Sequence, residues 1–152
     1  MPKIAIDALP VRTGSGYPEP FDRACANRRR RALGDAGSLS DFGVNLLELP
    51  PGAWSSQRHW HSAEDEFVWV LSGELVLIEN EGETILRAGD CAAFPKNSGD
   101  GHHLVNRSDT MATAFEVGSR RPLEDDCSYS DIDLHIGPGR DAGYTRKDGS
   151  PY

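Results

Sequence analysis

Short apolar runs recur along this chain, separated by turn residues about every ten positions. Residues 42–49, 66–71, 75–78, 84–86, 91–94, 102–106 and 111–117 each combine apolar residues with β-branched or aromatic ones. Each therefore reads as a strand. Pro50-Pro51-Gly52 and Ala88-Gly89-Asp90 read as turns, and 79–83, with Asn80 and Gly82, as a hairpin connection. Residues 28–34 are placed at the opening of the sheet structure. Residues 1–27 carry a short Ile4/Ile6 pattern and then Gly14 to Pro20, an arm with one strand. In the tail, 129–136 alternates with Ile132, Leu134 and Ile136 on one side, a further strand signal. No stretch shows clear helical amphipathicity, so the pattern predicts an all-β sandwich or barrel.

With 152 residues, one domain is expected, long enough for a real core. Sixteen Gly and ten Pro suit short strands and many turns. The net charge of −8 argues against nucleic acid as a partner, because phosphate backbones need a positive face. Cys25, Cys91 and Cys127 are odd in number and form no CxxC pair. A disulfide framework is not expected, and a reducing cytoplasm fits better. The first ten residues lack the pattern of a signal peptide, and no apolar run is long enough to span a membrane.

The chemistry concentrates in two segments. His59 and His61 are two apart, so on a strand both imidazoles point to one face. Glu66 begins the next apolar run, and His102 opens the run 102–106. Three imidazoles and one carboxylate from three strands could converge on one ion and leave coordination positions open. His103 has the opposite parity to His102 and should face away. No glycine-rich phosphate loop, nucleophile elbow or dinucleotide fingerprint is present.

These segments resemble the two motifs of the cupin superfamily. His59, His61, Glu66 and Gly73 match the spacing of the first motif, with Gly52 one residue too far upstream. Gly89, Pro95, His102 and Asn106 match the second, except that Asn97 replaces its internal glycine and the loop to His102 is two residues longer. The chain is similar to bacterial single-domain (monocupin) metalloproteins. The resemblance implies a double-stranded β-helix, or jelly-roll barrel, over residues 28–119. Residues 1–27 would then be an N-terminal arm, and 120–152 a C-terminal arm with one strand. It implies one divalent transition metal (Zn, Fe, Mn or Ni) held by His59, His61, Glu66 and His102. It further implies a small-molecule ligand and an enzyme of the sugar-phosphate isomerase or dioxygenase kind, or else a non-catalytic binding module. Long arms and open sheet edges suggest a homodimer.

Other residues carry competing readings. Glu64, Asp65 or Tyr129 could supply a proton shuttle, although Glu64 and Asp65 read first as a solvated acidic loop. Ser55 and Gln57 share the parity of His59 if that strand is regular, and could hydrogen-bond substrate. Trp60 has opposite parity and is expected to pack behind the strand. Cys91 reads as a buried, inert thiol. Four consecutive arginines, Arg28 to Arg31, would split two to each face of a strand. Acid pairing, a subunit contact or an anionic substrate could employ them.

Overall fold

The computed structural model describes residues 3–139 and 141–152. Its strands, in chain order, are β1 (Arg12–Thr13), β2 (Arg29–Ala32), β3 (Phe42–Leu49), β4 (His59–His61), β5 (Glu66–Ser72), β6 (Glu74–Glu79) and β7 (Gly82–Arg87). They continue with β8 (Cys91–Phe94), β9 (His103–Val105), β10 (Ala112–Ser119), β11 (Cys127–Tyr129), β12 (His135–Ile136) and β13 (Tyr144–Thr145). One four-residue helix, α1 (Leu33–Ala36), follows β2. A six-stranded sheet runs β1-β2-β3-β10-β5-β8. Opposite it lie β7-β6-β9 and β13-β12-β11-β4, bridged by the pairs His59–His102 and Trp54–Val105. Every strand pair is antiparallel. This is the all-β jelly roll expected from the regularly spaced strand runs and the motif resemblance.

The inward faces close one core. Leu47, Leu49, Val68, Val70, Leu75, Leu77, Phe94, Leu104, Ala112 and Ala114 interlock between the sheets. Removal of such apolar area from water, at about 25 cal/mol per Å², is the main force holding the sheets together. A second cluster of Cys127, Tyr129 and Leu134 packs with Tyr17, Phe21, Ile132, Ile136 and Tyr144. It ties segments from both ends of the chain to the sheet that carries β4. Gly73 turns between β5 and β6 with φ of +76°, and a Cβ there would lie 2.9 Å from the Ala112 Cα. Both facts require glycine. Asn97, which stands where the motif has glycine, adopts φ of +57°, a conformation asparagine tolerates better than most residues. The substitution therefore preserves the turn.

The structure differs from the sequence reading in several places. Residues 129–136 do not form one strand. They fold as the hairpin β11–β12, with Leu134 fully buried between its arms. The pattern had period two because a tight hairpin can bury alternating residues without staying extended. The 79–83 connection is shorter than expected, since Glu79 already pairs with Gly82 and only Asn80 and Glu81 turn the chain. The Ile4/Ile6 pattern marks no strand: residues 6–8 form a 3₁₀ turn, and the arm's strand is β1. Cys91 is exposed, because its register on β8 places it beside Trp69 on the outer face. All three cysteines are free.

Candidate metal centre

Strands β4 and β5 and the residue before β9 deliver four side chains to one point. The Nε2 atoms of His59 and His61 each lie 3.6 Å from Glu66 Oε2, and that of His102 lies 3.1 Å from it. His102 does not open β9. It faces His59 in an isolated bridge, where the His59 N–H donates to the His102 carbonyl at 3.2 Å and the reverse bond is 2.9 Å. That reciprocal pair fixes the two backbones side by side. Phe94 from β8 stacks on the His102 ring with centroids 3.5 Å apart.

The second nitrogen of two rings is fixed from behind. His59 Nδ1 lies 2.9 Å from the Gln57 carbonyl and 3.3 Å from Ser56 Oγ. His61 Nδ1 donates to Asp125 Oδ2 at 2.6 Å. These contacts turn both Nε2 lone pairs toward Glu66. Burial drives the His59 pKa down to about 4, although the Glu66 carboxylate pulls the other way. Burial also acts to lower His61, but Glu66 and Asp125 outweigh it and the pKa rises. For Glu66, burial favours the neutral acid, yet the three imidazoles reverse that and hold the carboxyl well below its ordinary range. Among the described residues Glu66 Oε2 is nevertheless buried without a well-aligned hydrogen bond, although His102 Nε2 lies 3.1 Å away.

Such an atom, ringed by three imidazole nitrogens, suits a shared cation. Ligand bonds of about 2.0–2.2 Å place neighbouring donors about 3 Å apart around one ion. Neutral imidazoles and one carboxylate suit Zn, Fe, Mn or Ni. The cluster could therefore hold a divalent metal, with His59, Glu66 and His102 donors all within 4.8 Å of one another.

The cluster opens into a pocket of about 380 Å³ lined also by Arg28, Arg30, Ser55, Ser56, Glu64 and Glu116. Of the shuttle candidates, Glu64 lines this pocket, accepts the Arg121 N–H through Oε1, and has its pKa raised by burial. The expectation of a solvated loop residue fails for it. It holds for Asp65, which is exposed and accepts the Lys96 N–H at 2.9 Å, a structural clamp on the loop. Tyr129 is buried behind His59 and does not line this pocket, and burial holds its phenol far above the ordinary range. Gln57 turns away, donating from Nε2 to the Phe21 carbonyl at 2.6 Å. The chain from 55 to 58 is bent rather than extended, which breaks the assumed parity and brings Ser56 to the pocket. His103 faces away from the cluster, as expected, and stacks on Trp54 with centroids 4.5 Å apart. Asn106 is fully buried and donates to the carbonyls of Leu49 and Thr110 at 2.7 Å each, a strand-end clasp.

Asp125, Ser56 and Glu116 were not foreseen. Asp125 is far from His61 in sequence, so no local signal marks it. Glu116 did carry one, because a charged residue stands in register with inward Ala112 and Ala114.

An all-β jelly roll with an inward cluster of three histidines and one carboxylate, at the spacing of the two motifs, defines the cupin class of fold. This chain belongs to the cupin superfamily. A cupin domain model matches residues 45–118. The chain is similar to a structure from Silicibacter pomeroyi named as a sugar phosphate isomerase of the cupin superfamily. Identity is 47%, coverage is 99% of this chain and 96% of that chain, and the TM-score is 0.94. A structure from Acidithiobacillus ferrooxidans, provisionally named a sugar phosphate isomerase, is 25% identical with a TM-score of 0.75, covering 84% and 81% of the two chains. A protein from Thermotoga maritima shares the fold at 20% identity and a TM-score of 0.60, covering 78% of this chain and 99% of its own. No curated protein matches the sequence. Among the described residues, no helix is long and apolar enough to cross a membrane.

Proposed function

We propose that this protein is a metal-dependent isomerase of small hydroxylated carbonyl compounds, of the sugar-phosphate isomerase kind. The observation that carries the reading is the convergence of three imidazole nitrogens on Glu66 Oε2 at the base of a polar pocket. The Silicibacter protein's name, at 47% identity over nearly the whole chain, supports the reaction class. His59, His61, Glu66 and His102 would hold the ion. A bound divalent ion supplies Lewis acidity toward a substrate carbonyl or hydroxyl oxygen.

The chain's own residues supply the rest. Aldose–ketose isomerisation moves a proton between adjacent carbons, so it needs a carboxylate that can accept and return one. Glu64 lines the pocket, and burial raises its pKa toward the working range. In this reading its carboxylate takes the proton from the carbon beside the carbonyl and returns it to the neighbouring carbon. Ser55 and Ser56 offer hydroxyls at the wall for orientation. The polar lining favours an isomerase over a dioxygenase with an apolar substrate.

The test has two arms. Elemental analysis of untagged protein should give near-stoichiometric divalent metal, lost in a His59→Ala/His61→Ala double variant. Aldose and ketose phosphates should then interconvert, with Glu64→Gln lowering kcat by about two to four orders of magnitude. Metal bound stoichiometrically without turnover of any such compound would leave a binding module and reject the isomerase.

A further inference from the structure

Two guanidinium groups converge on a single backbone oxygen in the pocket. Arg28 donates from Nη1 to the Ser55 carbonyl, and Arg30 donates from Nη2 to the same oxygen at 3.4 Å. Among the described residues one carboxylate serves the pair: Glu116 Oε1 lies 2.6 Å from Arg30 Nη2. Arg28 is 9% exposed. Its hydrogen bonds go to neutral carbonyls, Ser55 and, through Nε at 2.9 Å, Gly14, and its guanidinium carbon lies 5.9 Å from the centre of the Tyr17 ring. Among the described residues it has no carboxylate partner, and no hydrogen bond employs its Nη2. A buried cation without a carboxylate partner is costly, and a like charge beside it raises the cost. Burial and Arg30 both act to lower the Arg28 pKa, yet a guanidinium stays charged.

We propose that Arg28, with Arg30 beside it, is the binding subsite for an oxyanion group of the substrate. Both arginines line the pocket that contains the histidine cluster. The link between the two sites is short. Ser55 Oγ lies 3.4 Å from Ser56 Oγ, which lies 3.3 Å from His59 Nδ1. One small molecule can therefore present a hydroxyl or carbonyl to the cluster and an oxyanion to Arg28. A phosphate or a carboxylate supplies the same chemistry: planar guanidinium donors facing negative oxygens. The inference rests on the isomerase reading for the substrate's other end, and the sequence split of Arg28 to Arg31 between two faces is what makes it possible. Arg31 pairs with Glu48 instead.

Isothermal titration of the full-length protein as purified, with inorganic phosphate and separately with acetate, tests the subsite. Phosphate should bind, and Arg28→Gln should weaken it at least about tenfold, the loss expected of a charged hydrogen bond. Arg28→Lys should retain part of the affinity. Glu116→Gln should tighten binding several-fold, since it leaves Arg30 uncompensated. Acetate binding with the same Arg28 dependence would identify the anion as a carboxylate. No binding by the parent, equal binding by Arg28→Gln, or no tightening in Glu116→Gln overturns the proposal. If Arg28→Gln fails to fold, Arg28→Lys and Glu116→Gln decide. Phosphate binding through Arg28 without isomerase turnover would reject the reaction and keep the subsite. Equal turnover of phosphorylated and unphosphorylated sugars would do the reverse.

Discussion

Asp125 accepts a 2.6 Å hydrogen bond from His61 Nδ1 while its other oxygen accepts the Ala63 N–H at 2.8 Å. One carboxylate thus fixes both the ring and the loop that follows β4. Asp125 sits in the tail just before β11, and β11 pairs with β4 along Cys127–His61 and Tyr129–His59. The tail is therefore part of the candidate site. Asp125→Asn keeps the shape but removes the charge that favours Nδ1–H and a basic Nε2. Metal affinity, read by chelator competition, should fall about 10- to 100-fold. An unchanged affinity would show that His61 is oriented by packing alone.

Metal uptake should depend on pH through the same ring. The His61 pKa is raised in the folded protein because Glu66 and Asp125 overcome burial. The proton on His61 therefore stabilises the metal-free fold at pH below the unfolded value of 6.5, and that contribution fades as pH rises through the raised folded value. A metal must displace this proton. The gain in Tm on adding Zn²⁺ should accordingly be small at pH 6 and grow toward pH 8. A flat difference across that interval would remove His61 from the ligand set.

Two kinds of information in the sequence behaved differently. Strands whose alternate residues enter the main core, such as β3 and β10, were legible because inward Leu47, Leu49, Ala112 and Ala114 repeat with the pleat. The four clustered side chains were legible because His59 and His61 share parity and the motif spacing singles out Glu66 and His102. Residues placed by long-range closure were not. Nothing local announces that Asp125 meets His61 or that Arg28 meets Ser55, since both contacts form only when segments far apart in the sequence close on each other. Gln57 was misplaced for the opposite reason: a local rule was applied where the chain bends and the pleat is absent.

His103 should produce an acid-sensitive limb in stability. It is 3% exposed, neither ring nitrogen has a hydrogen-bond partner among the described residues, and burial lowers its pKa to about 4. Its contribution is complete above the unfolded value of 6.5 and is lost as pH falls from there toward about 4. The full loss would be about 3 kcal/mol. His103→Phe keeps the stack on Trp54 and has nothing to protonate. Urea midpoints at pH 7.5 and 4.5 should drop less in the variant than in the parent. An equal drop in both would place the acid sensitivity elsewhere, for example in His59.

The outer face of the six-stranded sheet leads to the last expectation. Phe67, Trp69 and Leu71 point away from the core on β5, and Trp69 is 48% exposed. In register beside Trp69 lie Phe115 on β10 and Cys91 on β8, and Leu46 on β3 lies beside Phe115. The result is an apolar band across four strands. Bands of this kind commonly mark contact surfaces. The chain carries a net charge of −8, yet this band carries no charged residue, so two copies can meet here without opposing their acidic surfaces. We therefore expect a homodimer through this face, with Trp69 at its centre as the anchor. Light scattering at tens of micromolar should give twice the chain mass of 16.6 kDa. Trp69→Glu should halve it while leaving the fold intact, because that side chain contributes little to the core. A monomeric parent, or a Trp69→Glu variant that remains dimeric, would show that this face is not the interface.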